Sequence, residues 1–473
     1  QDSRMYAKFA RIPCLDPSTL QEAHDMVRDA FVLSEEFGLP VMLRPTTRIC
    51  HSKGNVTLGP VLPFTGKGEF HKDPQQYVVI PAHTRILHRK LNEKQPMVKK
   101  RLSELVYNQY QVRGTCAVIA SGIAASYVEE IIPHDVSFMK IGAYPIDEEW
   151  LAGFVRMHEK VLVVEELFPI VEEAVREVAG TVAVYGKKTG HAPYEGELSP
   201  DSVARIMASC GFSTSIQYPS VQPVPDLPPR PPILCAGCMH RPVFYAIKKV
   251  FKDGIYPSDI GCYTLGLQLG AVDTTICMGA SITVGSGIFH AGEERDVVAT
   301  IGDSTFLHTG IPGLMNAVYN GAKMTVVILD NRTTAMTGHQ PNPNTGCTVC
   351  GSPSPPISLE ALCRACGVAF EETVDPYNMV TLTAALKDAK GRPGVNVVIA
   401  KQPCVITARR AGIRRGRYRV DPDTCTGCGI CIKFGCPAIE QHDEKASIND
   451  LCSGCGVCAQ LCPSGAIGKE GVR

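Results

Sequence analysis

The chain has 473 residues, with 47 lysines and arginines against 47 aspartates and glutamates. That length exceeds what one hydrophobic core supports, so several domains are expected. The charge balance gives no argument for nucleic acid or an anionic membrane surface. No stretch approaches the roughly 18 apolar residues that a spanning helix needs, and the opening Gln1-Asp2-Ser3-Arg4 has no signal-peptide pattern.

From the amino end, Ser18 and Gln21 have capping-box spacing. Ala23, Met26, Val27, Ala30 and Phe31 then recur at helical period until Gly38, and Leu39 to Leu43 reads as a buried strand. This predicts the last αβ unit of a domain whose beginning lies upstream of Gln1, over residues 1–65. Residues 51 to 110 read as irregular, with Lys53-Gly54, Gly66, Gly68 and Pro81 as breakers and a basic helical patch from Lys90 to Arg101, so 66–110 is taken as connecting structure. Strand-like runs at Thr115–Ala120, Val136–Ile141, Val161–Val164 and Thr181–Tyr185 alternate with helical segments, which predicts a parallel α/β domain over 111–200. The acidic pairs in Asp147-Glu148-Glu149 and Glu165-Glu166 fall at a helix start and a strand end, where such charges are normally solvated or capping.

A proline cluster from Pro223 to Pro232 marks a stiff linker, and a new domain follows over 226–405. Val297–Ile301, Met324–Leu329 and Val395–Ala400 are its clearest strands, each a continuous apolar run suited to a sheet covered on both faces. The first ends in Gly302-Asp303-Ser304 and the second in Leu329-Asp330-Asn331. A hard Mg²⁺ ion takes oxygen ligands in octahedral geometry, and the Asp303 carboxylate and Asn331 amide oxygen could supply two from adjacent strand ends. Gly302 would let backbone approach a diphosphate, with amides around Ser304 and the following helix N-terminus as donors. An ordinary turn is the competing reading.

The 21 cysteines, many in Cys-x-x-Cys pairs, suit metal or redox chemistry in a reducing compartment such as the cytoplasm better than a disulfide framework. Cys347/Cys350 and Cys363/Cys366 have zinc-like spacing, but the second pair lies in an amphipathic helix ending at Gly367, which favours buried free thiols. Cys14, Cys50, Cys116, Cys210 and Cys277 are isolated and read as small core residues. After the basic stretch Arg409 to Arg419, residues 421–473 carry an internal repeat: Cys425, Cys428, Cys431 and Cys436-Pro437, then Cys452, Cys455, Cys458 and Cys462-Pro463. Two such triplets, each with a remote Cys-Pro, suit a pair of iron–sulfur cubanes better than structural zinc. A domain of this size also has too little core to fold well unaided.

That repeat resembles the bacterial two-cluster ferredoxin. The resemblance implies that Cys425, Cys428, Cys431 and Cys462 hold one [4Fe–4S] cluster and Cys452, Cys455, Cys458 and Cys436 the other, despite one inserted residue before Cys436. The Gly302-Asp303 to Asn331 segment resembles the thiamine-diphosphate fingerprint, with Ser304 where glycine is usual, and implies a further magnesium contact from the Thr333 carbonyl. With Gly302 to Gly310, Leu329 to Gln340, Arg44-Pro45-Thr46-Thr47-Arg48 and Pro232 to Cys238, the whole chain resembles the alpha subunits of 2-oxoacid:ferredoxin oxidoreductases of the indolepyruvate type.

This likeness implies parallel-sheet thiamine-binding domains, with 111–200 of the transketolase C-terminal type, and an α+β ferredoxin domain. It implies thiamine-dependent oxidative decarboxylation of an aryl pyruvate, with coenzyme A taking the acyl group, ferredoxin taking the electrons and a beta subunit as partner. A third [4Fe–4S] cluster on Cys235, Cys238, Cys262 and Cys404 follows from related oxidoreductases. The activating glutamate belongs to a pyrimidine-binding domain mostly absent here, so no residue is matched to it. His308 and His339 are candidate acid–base groups, with simple hydrogen-bonding histidines as the alternative. Another 2-oxoacid such as pyruvate, or an electron-transfer subunit without chemistry of its own, remains a competing reading.

Overall fold

The computed structural model describes residues 2–60, 70–214, 227–228 and 230–471. The chain divides into two compact units, Gln1–Pro225 and Asp226–Arg473. Gly66 and Gly68, and most of the proline cluster before Leu227, lie outside the described residues.

The first unit contains β1 (Cys14–Leu15), β2 (Met42–Leu43), β3 (Gln109–Gln111), β4 (Cys116–Ser121), β5 (Ser137–Ile141), β6 (Ala143–Tyr144), β7 (Lys160–Val164) and β8 (Ala183–Tyr185). Its main sheet has the order β3-β5-β4-β7-β8, parallel except for β3, which pairs antiparallel with β5. Both faces are covered. Ala117, Ile119, Met139, Val161 and Val163 join one core while Val118, Ala120, Phe138, Leu162 and Val164 join another. That two-sided burial is why these strands read as unbroken apolar runs rather than alternating ones. A smaller sheet, β2-β1-β6, lies beside it.

The helix expected after Ser18 spans Leu20–Phe37 and stops at Gly38, φ +57°. Its cap sits one residue later than the spacing suggested. Thr19 Oγ1 accepts from Glu22 N at 3.1 Å, and Glu22 Oε2 accepts from Ser18 N and Oγ at 2.8 and 2.7 Å, whereas Gln21 bonds to Asp25 and the Thr57 carbonyl. The buried stripe is Met26, Leu33 and Phe37, and Val27 and Phe31 are exposed. The stripe is set by what it packs on, namely Leu15, Val98, Leu102 and Tyr107. Val98 and Leu102 belong to a 23-residue helix, Pro81–Ser103, in the segment expected to be irregular. Pro81 starts it in the favoured first position, and the helix runs through Pro96 because Gln95, Val98 and Leu102 are buried on either side of it.

Glu165 follows a strand end, as expected, and of the two roles open to it there it takes capping rather than solvation, being 1% exposed. Its carboxylate accepts from Val171 N and Glu172 N at the start of the helix Ile170–Val178 and from Arg4 Nη1 at 2.9 Å. Arg4 also binds Asp2, and Arg44 binds Asp16, so this unit holds a buried network of charges. Asp147, as expected, caps its helix through Trp150 N.

The second unit begins with the helix His240–Val250 and builds a parallel sheet from β9 (Val298–Gly302), β10 (Met324–Asp330), β11 (Phe370–Val374) and β12 (Val395–Lys401), in the order β11-β12-β10-β9. Val327 stands opposite Thr300 on one side and Val398 on the other. Ile255 and Ser258 add isolated parallel bridges outside β9. The three expected strands are present; β11, an edge strand with mostly half-buried residues, was not read from the sequence.

The chain then enters a small α+β module. β13 (Tyr418–Val420) pairs antiparallel with β16 (Ile467–Lys469), and β14 (Ile439–His442) with β15 (Lys445–Ile448). Between them lie two short helices, Ile430–Lys433 and Val457–Leu461. Phe434 and Val457 of the module are buried in the same core as Phe244, Leu329 and Leu386, so the module is packed onto the sheet domain. Among the described residues no helix is long and apolar enough to cross a membrane.

Candidate functional site

Parallel strands β9 and β10 end side by side, so the residues that follow them are brought together at one edge of the sheet. Asp303 is 2% exposed, and its Oδ2 accepts from Asn342 Nδ2 at 2.9 Å. Burial, with the neighbouring Asp330 carboxylate adding to it, pushes the Asp303 carboxyl up to about 7. Asp330 is also buried and accepts from Arg332 N and Asn344 Nδ2. Asn331 Oδ1 accepts from Thr333 N at 3.1 Å, and Thr334 Oγ1 donates to Ser304 Oγ at 2.9 Å.

The result is a buried cluster of oxygen-bearing side chains containing Asp303, Asn331 and Thr333, with Asn342 and Asn344 added by the loop Gln340 to Asn344. Asn344 Oδ1 is buried and has no hydrogen-bond partner. A buried orphan acceptor within this set of oxygen-bearing side chains suits a hard cation. These residues therefore fit magnesium-bridged diphosphate, and the sequence reasoning missed Asn342 and Asn344. A Pro-Asn-Pro-Asn run carries the signal of a turn, which concealed them.

Gly302 lies close against an aromatic ring. A Cβ there would lie 2.6 Å from Tyr263 Cε1, so glycine makes room for that ring, whose hydroxyl donates to the Ile260 carbonyl and to Thr305 Oγ1. The chain after Asp303 is helical through Tyr319, with a π-helical turn at Phe306–Gly310, a device common at functional sites. His308 lies in that turn and is exposed. His339 has a left-handed backbone, φ +67°, and its Nε2 lies 3.8 Å from Cys404 Sγ.

Cys404 joins this edge directly, because its N–H donates to the Asn331 carbonyl at 2.9 Å. Cys262 is raised by burial and then by Cys404 and Cys235, and Cys238 has Cys235 and Cys262 among the groups that raise it, so these thiols are within electrostatic reach of one another. Burial is the larger cause and pushes Cys238 up to about 12. His240 Nδ1 lies 3.3 Å from Cys238 Sγ.

In the C-terminal module one cavity is lined by Cys425, Cys428, Cys431 and Cys462, and a second by Cys436, Cys452, Cys455 and Cys458. Each fourth cysteine comes from the other half of the repeat. Glycines on both sides of each middle cysteine hold left-handed backbone, Gly427 and Gly429 at φ +66° and +71°, Gly454 and Gly456 at +75° and +76°. The two halves therefore repeat in conformation as well as in sequence. Burial pushes Cys458 up to about 12, and against that same influence Cys462 is lowered by Ser464 and by backbone N–H groups of Ser464, Ala466 and Ile467.

The remaining cysteines divide. None of the 21 forms a disulfide; Cys14, Cys210 and Cys363 are buried, but Cys50, Cys277 and Cys350 are exposed and are not core residues. Isolation in sequence carries no information about burial, which explains the error. Cys363 lies in the helix Leu359–Ala365, followed by Gly367 at φ +80°.

Residues 259–400 match the thiamine pyrophosphate enzyme C-terminal TPP binding domain, and residues 447–468 match the 4Fe-4S binding domain. Sheet edge and cysteine module together define a thiamine-diphosphate enzyme equipped with iron–sulfur chemistry. Over almost its full length the chain is similar to indolepyruvate oxidoreductase subunit IorA. The protein of Archaeoglobus fulgidus is 43% identical over 99% of this chain and 78% of its own length, and that of Thermococcus kodakarensis is 41% identical over 100% and 80%. The chain belongs to the family of indolepyruvate oxidoreductase IorA subunits. A shorter similarity, 28% identity over 37% of this chain and 70% of the relative, is to 2-oxoglutarate synthase subunit KorB of Archaeoglobus fulgidus.

Proposed function

We propose that this chain is the alpha subunit of an indolepyruvate:ferredoxin oxidoreductase, acting with a beta subunit in the cytoplasm. It converts aryl pyruvates and coenzyme A to the aryl-acetyl-CoA and carbon dioxide, passing two electrons to ferredoxin. Thiamine diphosphate supplies the carbanion-stabilising chemistry when bound. Asp303, Asn331 and Thr333, with Asn342 and Asn344 behind them, hold Mg²⁺ and through it the diphosphate; helix amides from Ser304 onward favour the phosphate charge. Cys235, Cys238, Cys262 and Cys404 hold one [4Fe–4S] cluster, and the two four-thiol cavities hold two more. Each cluster accepts one electron at a time, so a chain of them separates a two-electron oxidation into single steps.

The observation that carries this reading is the hydrogen bond from Cys404 N to the Asn331 carbonyl at 2.9 Å. It ties a cluster cysteine to the residue that anchors the cofactor, which is where a redox relay must start. His339, against the Cys404 thiol, is suited to steadying that cysteine, and His308, exposed in the π-helical turn, to meeting the substrate as an acid or base.

The test is anaerobic viologen or ferredoxin reduction by the assembled subunits, with indolepyruvate, phenylpyruvate, pyruvate and 2-oxoglutarate in turn. Reduction dependent on thiamine diphosphate and strongest with the aryl acids is expected. Activity confined to pyruvate or 2-oxoglutarate overturns the substrate assignment, and no reduction with any acid leaves an electron-transfer subunit.

A further inference from the structure

Arg241 is a buried cation between two groups of cysteines. It is 3% exposed, at the start of the helix His240–Val250. Its Nη2 donates to the Leu234 carbonyl at 2.6 Å and its Nη1 to the Gly435 carbonyl. Leu234 immediately precedes Cys235 and Gly435 immediately precedes Cys436, so one guanidinium clasps the backbone of both cysteine loops. Nε is buried without a partner. Among the described residues Arg241 forms no ion pair with a carboxylate. The acidic groups that act most strongly on its charge are thiols: Cys436, Cys238, Cys235 and Cys455.

The two loops also touch directly. Gly237, between Cys235 and Cys238, lines the second four-thiol cavity, and a Cβ on it would lie 1.7 Å from Ser453 Oγ. Its left-handed backbone, φ +70°, is secured by Tyr377, whose hydroxyl donates to the Gly237 carbonyl at 2.6 Å. Gln460, on the helix after Cys458, donates to the Tyr377 carbonyl at 2.7 Å. The other nearby cation, Arg415, is half-buried, bonded to Gln402 and stacked over Tyr377.

A buried guanidinium without a counter-ion is strongly unfavourable. We propose that its counter-ions are the clusters themselves: Arg241 is a positioning residue whose fixed positive charge raises the reduction potentials of the cluster on Cys235, Cys238, Cys262 and Cys404 and of the cluster on Cys436, Cys452, Cys455 and Cys458. A cation near a cluster favours its reduced, more negative state, since potential follows local charge, hydrogen bonding and solvent exposure. One electron leaving the first cluster is then one electron gained by the second, with the same cation compensating both states. The remaining cluster, on Cys425, Cys428, Cys431 and Cys462, lies outside this arrangement. The inference rests on the proposed assignment of a third cluster to Cys235 and its neighbours.

The experiment uses the full complex, purified anaerobically, as wild type, Arg241→Gln and Arg241→Lys. Iron and sulfide content is measured first, then each cluster's potential by redox titration followed by electron paramagnetic resonance. Arg241→Gln keeps a donor but removes the charge, and is expected to shift two of three potentials to more negative values. Arg241→Lys is expected to leave all three near wild type. Unchanged potentials in an iron-replete Arg241→Gln protein overturn the inference. Should Arg241→Gln lose iron, Arg241→Lys decides: iron retained at wild-type potentials upholds the role of charge, whereas iron lost from both variants makes Arg241 a purely structural clasp and also overturns it. A wild-type complex with only two clusters' worth of iron defeats the third-cluster assignment instead, which iron analysis reveals before any variant is made.

Discussion

Asp303 keeps its proton in the folded chain to about pH 7, because its carboxyl is out of water and beside Asp330. The sign of the linkage follows. A carboxyl whose folded value lies above its unfolded one binds protons more tightly when folded, so its contribution to stability falls as pH rises from about 4 to 7. The largest loss, for a shift of about three units, is on the order of 4 kcal/mol. A divalent cation removes that penalty at high pH but must displace a proton at low pH. Magnesium with thiamine diphosphate is therefore expected to raise the melting temperature more at pH 8 than at pH 6, and Asp303→Asn to abolish the difference; equal shifts at both pH values in the unmodified chain contradict the assignment. Asp303 and Asn331 were legible in the sequence because each follows an unmistakable strand. Asn342 and Asn344 were not, since only the folded loop brings them to those strand ends. The burial of Glu165 was not legible for the same reason: its partner Arg4 is 161 residues away. Arg4→Met, which leaves Glu165 buried without its cation and Asp2 with only the longer contact to Arg44, is expected to destabilise the first unit by about 3–5 kcal/mol. Denaturant titration of that unit checks it, and a change below ~1 kcal/mol would show that the network is not a source of stability.

Cysteine loops differ in how much room they leave. At Gly429 a Cβ would meet nothing, so only its left-handed backbone, φ +71°, opposes a side chain, a penalty of about 1–2 kcal/mol. At Gly454 the same backbone preference is joined by the Gly416 carbonyl oxygen, 1.8 Å from where Cβ would be. Gly429→Ala is thus expected to keep its iron, and Gly454→Ala to lose about one cluster's worth, read by iron analysis and the visible absorption of the protein; the opposite order would discredit this account of the loops. The repeat that houses these glycines was plain in the sequence because cysteine spacing is local. Of the helix Pro81–Ser103 only the basic patch Lys90 to Arg101 was read as helical, because Pro81 was taken as a breaker rather than a first-turn residue, while the feature that decides the helix is the burial of Val98 and Leu102 against a helix some 70 residues earlier. The inner strands of the two sheets were recovered almost to the residue, since burial on both faces leaves an uninterrupted apolar record, whereas the edge strands β3 and β11 lack that record and were not read.

Across the whole molecule, the first unit and the C-terminal module hold themselves together by different means. The first has extensive cores on both faces of its sheet, whereas the C-terminal module's own core consists of Cys431, Cys458 and Ile467, two of them cluster cysteines. Iron removal by a chelator under reducing conditions is expected to expose residues 411–471 to protease while leaving the melting transition of the first unit unchanged. Simultaneous loss of both would mean that the metal supports more than the module. Where one cavity borrows its last thiol from the far half of the repeat, the order of the chain and the order of dependence part company. A stop codon just ahead of Cys462 would spare every residue of the earlier triplet yet disable the cluster that triplet holds, and leave the later triplet with its full complement.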